Sequence, residues 1–424
     1  MDEQTSIFQY VVIGILLVVA LLAVIVFALQ KRSEALPSTQ LSVWGEMERE
    51  DFEDAVEPLI VESEAPFEFQ YQQISSERLE EILVEALAYG GAPDLLLYPE
   101  TTLLRVRGDL LPIPYESFPL RNFRDSFVEA GEVFAAPNGI YALPISVDPL
   151  VMYWNRTLLS GAGIATPPAY WGDIPDFVDE VGVRNGTSIE RAAIALGTFS
   201  NIANAADIFS LLLLQSGNPI AQWSGNGVES VLAPKNSRNA SIVLSVVRFY
   251  TEFADPDTPT YTWNSALPEA QSIFATNNLG LYIGFASEIR RIRSRNPNLN
   301  FDVTSVPQIR DEVPRTYAHV LGIAVLERSS QLSEAVRGAI LLSNRAFAES
   351  ISSIQLLPPA RRDLLQSEPS DAYMNLFYRA AVRSVSWPDV NLYRSYDVFE
   401  TLVDDVTSGR LRGSDAIEKA HNNL

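Results

Sequence analysis

The sequence predicts an α/β protein with two lobes behind an N-terminal apolar segment. The 424 residues are enough for two domains beyond that segment. Extended apolar runs alternate with helical patterns, as in sheets with right-handed crossovers. The stretch over residues 141–155, YALPISVDPLVMYWN, contains Pro144 and Pro149, which exclude a helix interior. We therefore expect a stiff strap between the lobes, cut into two strands at Pro144, with Ser146 and Asp148 facing a cleft.

The composition excludes several classes of function. Lys and Arg total 31 against 53 Asp and Glu, a net charge of −22, which argues against binding nucleic acid or anionic lipid through the globular part. There is no cysteine, so disulfides and thiolate sites are excluded. The two histidines, His319 and His421, are too few for a histidine metal cluster. We predict no cofactor, no metal site and no nucleic-acid partner.

The N-terminal segment over residues 7–29 is almost unbroken in its apolar character and long enough to cross a hydrocarbon core of about 30 Å. A cleaved signal peptide is the alternative. Asp2 and Glu3 are acidic where a signal peptide is basic, and no small-residue cleavage site follows the run. We therefore predict a transmembrane anchor over residues 1–32 and a linker over residues 33–40.

The first elements after the linker alternate between strand and helix. The predicted order is a strand over 41–45, a helix with Phe52, Val56 and either Leu59 or Ile60 at helical spacing, a strand over 67–74, a helix over 76–88 and a short buried strand after Asp94. Gly45 and Glu46 stand at the carboxyl end of the first strand, where ligands bind in open α/β sheets. We predict that both line the cleft, whereas Trp44 belongs to the core.

The region after the strap continues the alternation. Its predicted elements are helices over 202–215, 237–254, 267–276, 333–343 and 399–411 and extended runs over 191–196, 279–288, 301–307 and 317–326. Gly284 has no Cβ, so the backbone at Gly284 and Phe285 can approach a ligand closely. Aromatic faces suit the C–H faces of pyranose rings, which makes Trp263 and Phe285 candidates for stacking. Filling the core is the alternative for both.

The strap resembles the interlobe crossover of extracellular solute-binding proteins of ABC importers, in their sugar-binding, maltodextrin-binding-like branch. The residues that carry the resemblance are Tyr141, Leu143, Pro144, Ser146, Asp148, Leu150, Tyr153, Asn155, Leu158, Gly161, Gly163, Ile164, Pro168 and Trp171. The resemblance implies a two-lobed periplasmic-binding-protein fold, type II-like, in which each lobe has a mainly parallel sheet flanked by helices. Lobe 1 would comprise residues 41–145 and 308–348, and lobe 2 residues 146–307 and 349–424.

The resemblance also implies a function and a set of site residues. A carbohydrate, or a similar small polar solute, would be captured in the interlobe cleft by hinge closure and delivered to the permease subunits of an ABC transporter. The implied ligand-binding residues are Gly45, Glu46, Ser146, Asp148, Trp223, Trp263, Gly284, Phe285, Tyr317, Arg361 and Trp387. Tyr317, Ala318 and His319 replace glycines that are common in the family, which leaves the solute open. His319 is either a ligand residue or a satisfied interior histidine.

Two alternatives to an importer component remain: a membrane-anchored sensor or scaffold with the same fold, and a carbohydrate-active enzyme. No G-x-S-x-G, P-loop, G-x-G-x-x-G or H-E-x-x-H motif occurs. A glycosidase needs only two carboxylates, but nothing singles out a pair. We predict a binder without catalytic residues.

We place the globular part outside the cell membrane, because a solute-capturing protein is useful there. Lys31 and Arg32, which follow the apolar run, favour the opposite orientation. Since the chain has no cysteine for a lipid anchor, the retained helix would provide the tether. We also predict that Trp263→Ala weakens sugar binding and leaves the fold intact.

Overall fold

The computed structural model describes residues 39–63, 67–225, 227–233 and 238–424. The apolar run over residues 7–29, with its predicted role as a transmembrane anchor, lies outside these ranges. Within the described ranges, no helix combines the length and the apolar character needed to cross a membrane.

Strands and helices alternate through most of the described chain. The strands are β1 (Thr39–Gly45), β2 (Phe67–Gln73), β3 (Leu95–Pro99), β4 (Ala135–Ala136), β5 (Gly139–Ile140), β6 (Leu143–Asn155), β7 (Val183–Asn185), β8 (Ser188–Ile194), β9 (Ala221–Ser224), β10 (Gly227–Ser230), β11 (Leu279–Phe285), β12 (Phe301–Thr304), β13 (Thr316–Val325) and β14 (Ser384–Val385). The α-helices are α1 (Arg49–Ser63), α2 (Ser76–Tyr89), α3 (Glu100–Arg105), α4 (Leu120–Ser126), α5 (Arg156–Gly161), α6 (Ile174–Val181), α7 (Ala205–Gln215), α8 (Arg238–Glu252), α9 (Ala270–Ala275), α10 (Ile289–Arg295), α11 (Leu332–Leu342), α12 (Arg345–Gln355), α13 (Ala372–Val382), α14 (Leu392–Thr407) and α15 (Gly413–Asn423).

A mixed sheet runs through the molecule in the order β2-β1-β3-β13-β6-β11-β8-β7, with β12 added to β6 and β14 to β13. β1 is parallel to β2 and to β3, as predicted. The prediction of a mainly parallel sheet in each lobe is wrong. In the first lobe, β13 pairs antiparallel with β3 and with β6. In the second lobe, β11 and β12 pair antiparallel with β6, whereas β8 pairs parallel with β11 and β14 pairs parallel with β13. The reason is that β6 carries the chain into this lobe, while β11 and β12 run back toward the first.

Two hydrophobic cores divide the molecule into a first and a second lobe. Strand β6 contributes Val147 to the first core and Leu150 to the second. Strand β13 leaves the second core after Tyr317 and continues in the first. A third connecting segment runs from Ala360 of the first core to Phe377 of the second core. Three segments therefore join the lobes, the number from which a hinge is built in two-domain binding folds.

The strap is one continuous strand of 13 residues rather than two strands cut at Pro144. Pro144 pairs with Gly322 of β13 at a shift in register. Pro149 is the last residue of β6 that pairs with β13, and pairing with β11 begins at Leu150. Proline cannot donate a ladder hydrogen bond, so both prolines stand where the pairing is irregular or changes partner.

Candidate functional site

His319 is the centre of a polar cluster at the junction of the two lobes. It lies on β13 opposite Asp148 of β6. Its Nδ1 is 2.7 Å from Oε1 of Glu100, the first residue of α3. Its Nε2 is 3.6 Å from Oδ1 of Asp207, in the first turn of α7. The imidazole therefore joins carboxylates from both lobes, and we call Glu100, Asp148, Asp207 and His319 the junction cluster.

Glu100 is fixed in this position by the backbone. Its side chain is 1% exposed, and its Oε2 accepts a hydrogen bond of 2.7 Å from the amide of Val320. Pro99 ends β3 and directly precedes α3. A carboxylate in the first turn of a helix is favoured by the helix dipole. One oxygen of Glu100 thus secures β13 while the other meets His319.

The junction cluster is charged at neutral pH. Burial opposes protonation of His319, but Glu100, Asp207 and Asp148 outweigh it and raise the pKa of the imidazole to about 10. Both ring nitrogens therefore carry protons; Nδ1 donates to Glu100, and Nε2 forms an ion pair with Asp207. Burial raises the pKa of Asp148 to about 6, and it raises the pKa of Asp207 to about 6 as well. One cation and three carboxylates leave the cluster negative.

Two aromatic side chains flank the imidazole. The Phe285 ring lies 4.6 Å from the His319 ring, with an interplanar angle of 30°. Tyr317 meets the same ring edge-on at 5.5 Å. The amide of Ser287, just beyond β11, donates to Oδ1 of Asp148 over 3.0 Å. The structure thus brings together Asp148, Phe285 and Tyr317, three residues that the sequence analysis selected.

The segment after β11 is held by the buried carboxylate of Glu288. Its hydrogen-bond donors are Phe285 N (3.0 Å), Tyr282 Oη (2.6 Å), Asn204 Nδ2 (2.7 Å), Arg291 Nη2 (3.0 Å) and the side-chain amide of Gln271. Gly284 is required here, because a Cβ would lie 2.6 Å from the Tyr282 ring and 2.9 Å from Glu288. Glu288 therefore sets the position of the segment that carries Phe285 and Ser287.

Trp223 reaches from the second lobe onto the first. It lies on β9, a strand that begins one residue after Ile220 of the second core. Its indole Nε1 donates to the carbonyl of Val133 over 3.0 Å. Its ring stacks on Tyr141 with centroids 5.5 Å apart and planes at 14°. Val133 and Tyr141 belong to the first core, so Trp223 makes a contact between the lobes.

Gly45 and Glu46 lie at the carboxyl end of β1, away from the contacts of the junction cluster. A Cβ on Gly45 would come 2.6 Å from Tyr71 Oη and 3.0 Å from the carbonyl of Leu97. Glu46 is exposed and accepts a hydrogen bond from the hydroxyl of Ser76. Glycine is thus required by packing, and Glu46 is bound within its own lobe.

Ser146 and Arg361 make contacts of their own. Ser146 is 1% exposed, and its Oγ lies 3.4 Å from Oε1 of Gln355. Arg361 donates to both carboxylate oxygens of Asp363, at 3.0 and 3.2 Å. The guanidinium therefore already has an anionic partner.

Trp263 and Trp387 lie in the second core. Trp263 is 0% exposed, and its indole donates to Oδ1 of Asn201 over 3.0 Å. Trp387 is 6% exposed and donates to Ser210 over 3.3 Å. For Trp263 the structure favours the alternative of core packing. Trp387 is buried in the same core, and neither ring offers a face to a ligand.

The sequence analysis did not select Glu100 or Asp207. Glu100 directly follows a buried strand, at the type of position that drew attention to Glu46. Asp207 is the one charged residue in the apolar helix AADIFSLLLLQ. A charge in such a helix is a signal, because an unpaired carboxylate is costly to bury. In the part of the chain that the structure describes, no group of three or more His, Cys, Asp or Glu is arranged to hold a metal ion.

The comparisons with known proteins agree with this architecture. The family described as "Bacterial extracellular solute-binding protein" matches residues 67–339. Binding proteins of Brucella abortus and Brucella suis are 21% identical over 226 residues, which cover 52% of this chain and 51% of theirs. The chain thus spans about half the length of the curated relatives it matches.

Solved structures share the fold at low sequence identity. The cyclic alpha-maltosyl-1,6-maltose binding protein from Arthrobacter globiformis has a TM-score of 0.73 and 14% identity, over 91% of this chain and 97% of that chain. The sugar-binding protein MalE from Xanthomonas citri has a TM-score of 0.70 and 17% identity, over 91% of this chain and 96% of that chain. From the family match over more than half of its length, the chain belongs to the bacterial extracellular solute-binding proteins.

Proposed function

We propose that this protein is a membrane-tethered extracellular solute-binding protein that captures a carbohydrate between its lobes and passes it to an ABC transporter permease. The observation that carries the proposal is that polar side chains and aromatic rings lie together at the junction of the two lobes. His319 and Asp148 are partly exposed polar groups beside the rings of Phe285 and Tyr317, which are 7% and 2% exposed in this form and would offer a face to a solute only when the lobes separate. Sugars are recognised by such pairs of polar groups and aromatic faces.

The sugar class is also supported by proteins of the same fold. Solved structures with TM-scores of 0.71, 0.64 and 0.64 are described with maltotetraose, mannotriose and alpha-D-tagatose bound, at identities of 14%, 17% and 18%. All three ligands are neutral sugars. A neutral sugar offers hydroxyls to charged groups and brings no charge of its own into the cluster.

Capture would proceed by hinge closure around the three segments that join the lobes. Closure would make the contact of Trp223 with Tyr141 and the ion pair of Arg315 with Glu129, whose atoms are 3.3 Å apart. A solute can shift the equilibrium only by its greater affinity for the closed form. Residues that contact both lobes therefore set solute affinity as much as residues that touch the solute.

Tethering is the part of the proposal that rests on residues 7–29. A retained helix of this length would hold the globular part at the membrane, close to a permease. The family description supports an extracellular globular part. A sensor or scaffold would use the same tether and fold without a permease, and co-purification with a pair of permease subunits distinguishes the importer component from it.

Calorimetry on the full chain in detergent, against a panel that includes maltotetraose and mannotriose, tests the proposal. We expect one-site binding without any new product, and we expect His319→Gln to weaken it. His421→Gln is the matched control, because that imidazole bonds Ser230 in the second lobe, 3.0 Å away. Release of product would favour the enzyme alternative. Absence of binding across the panel would contradict the sugar class.

A further inference from the structure

Asp207 and Glu100 approach His319 from opposite lobes. Glu100 is held in the first lobe by its bond to Val320, so its pair with His319 persists when the lobes separate. Asp207 lies between Ala206 and Ile208 of the second core and moves with the second lobe. Closure therefore places a second carboxylate, that of Asp207, beside the pair of Glu100 and His319.

The other groups that face the junction cluster do not compensate this negative charge. Asp148, on β6, is bonded to the Ser287 amide of the second lobe. The remaining ionisable groups that act on Asp207, Asp148 or Tyr317 are Glu288 of the 3₁₀ turn after β11 and Asp389 beyond β14. Arg291 of α10 pairs with Glu288 at 3.0 Å. His319 is thus the one cation in direct contact with Asp207 among the contacts that the structure describes.

We propose that closure of the lobes takes up protons through Asp207, with Asp148 and His319 contributing, so that acidification favours the closed form and alkalinisation the open form. The inference rests on the hinge motion of the proposed function, but it is independent of which solute is bound and of any permease.

The direction in which pH shifts the open–closed equilibrium follows from how closure changes the surroundings of each titrating group. Separation of the lobes would take Asp207 away from the first lobe and expose it to water, whereas burial in the junction raises its pKa from 3.8 to about 6. A group that binds its proton more tightly in one state shifts the equilibrium toward that state as pH falls. Asp148 changes in the same direction. His319 does so as well, because closure adds the Asp207 carboxylate that helps to raise its pKa.

The distance between the lobes can be measured directly, because the chain has no cysteine of its own. Spin labels on Glu116→Cys and Gln222→Cys report it, since these exposed residues lie on opposite lobes close to Tyr115 and Trp223. The full chain in detergent is titrated from acid to alkaline pH without solute. We expect the fraction with the short distance to be largest at low pH and to fall as the pH rises from 3.8 to about 6, while a longer distance appears.

Asp207→Asn should lose most of this pH dependence, because an amide stays neutral at every pH. The matched control is Asp179→Asn, an exposed aspartate of the second lobe, which should titrate like the unmodified protein. A distance independent of pH, or an unchanged titration in Asp207→Asn, would overturn the proposal. Failure of the proposed function is a different result, namely no solute binding at any pH.

Circular dichroism tests whether Asp207→Asn is folded. If the variant is unfolded, His319→Gln provides a second test of the proposal. Without the imidazolium, the proton of Asp207 is held more tightly in the closed form, so the midpoint should move to higher pH. An unchanged midpoint in His319→Gln would overturn the proposal as well.

Discussion

The indole ring of Trp223 lies nearly parallel to the phenol ring of Tyr141, with centroids 5.5 Å apart and planes at 14°. Tyr141 belongs to the first core, whereas Trp223 lies on a strand that follows Ile220 of the second core. The same indole donates a hydrogen bond to the carbonyl of Val133. This contact shares no residue with the junction cluster. It gives closure a second point of attachment, built from an aromatic pair and a hydrogen bond rather than from an ion pair.

Trp223→Ala is predicted to shift the lobes toward the open form. The loss comprises one aromatic pair, about 0.5–1.5 kcal/mol, and one hydrogen bond, about 0.5–1.5 kcal/mol. Trp223→Phe retains the stacking and should give an intermediate shift. The interlobe distance between spin labels on Glu116→Cys and a second exposed residue such as Ser265→Cys measures it.

The control for this variant is Trp154→Ala, since Trp154 packs against the second core on β6 and makes no contact with Tyr141 or Val133 in the described structure. We expect it to change stability without favouring the open form. Equal distance distributions for Trp223→Ala and the unmodified protein would show that the stacked pair does not hold the lobes together.

Trp263→Ala is predicted to destabilise the whole protein rather than to weaken sugar binding selectively. The sequence alone suggested the opposite, but the indole is 0% exposed and bonded to Asn201. Truncating a buried tryptophan costs about 3–5 kcal/mol. Urea denaturation should show the loss, and Trp263→Phe should recover part of it. A variant of normal stability with weakened solute affinity would restore Trp263 as a ligand residue.

Much of the fold could be predicted because local patterns determine it. The run LSVWG and the alternating FEFQYQQ both form strands, and the positive φ of Gly90 ends α2 at the predicted place. The direction of pairing in the second lobe could not be predicted, because it depends on how β11 and β12 return to β6. The helices α12 and α13 were missed, since their short apolar stripes are interrupted by polar residues.

The candidate site was predictable only in part, for a related reason. Asp148, Phe285 and Tyr317 belong to strands or strand ends whose extended patterns are visible. Glu100 and His319 are 219 residues apart in the sequence, and the residues around either one do not indicate the contact. Trp223 and Trp263 look equivalent in the sequence, yet only Trp223 lies on a hairpin that extends to the other lobe.

Glu288→Gln is predicted to lower the free energy of unfolding by about 2–4 kcal/mol. Five donors converge on the carboxylate, and an amide at this position turns at least one of its own donors toward them. Chemical denaturation measures the loss. Glu180→Gln, at an exposed position of α6, should leave stability unchanged. Equal stability of both variants would mean that the carboxylate is not needed to hold the segment after β11.

The unfolding free energy is predicted to fall as pH rises from about 6.5 toward 10, through His319. Its pKa is about 10 in the folded protein against an ordinary 6.5, because Glu100, Asp207 and Asp148 outweigh burial. The stabilisation is complete below 6.5 and is lost as the pH rises through the folded value. Asp148 and Asp207 add a decline between 3.8 and about 6, since burial raises the pKa of both.

Urea denaturation at a series of pH values checks this dependence. Subtracting the unfolding free energy of a variant from that of the unmodified protein at each pH removes the contribution of the other titrating groups. His319→Gln should flatten the decline above pH 6.5, whereas His421→Gln, whose ring bonds Ser230, should retain it. Histidine ring resonances provide an independent measure, because the chain contains only two histidines. If the resonance of His319 titrated at the ordinary value of 6.5, the three carboxylates would not be holding its proton. The slope of stability with pH would then have to arise elsewhere in the molecule.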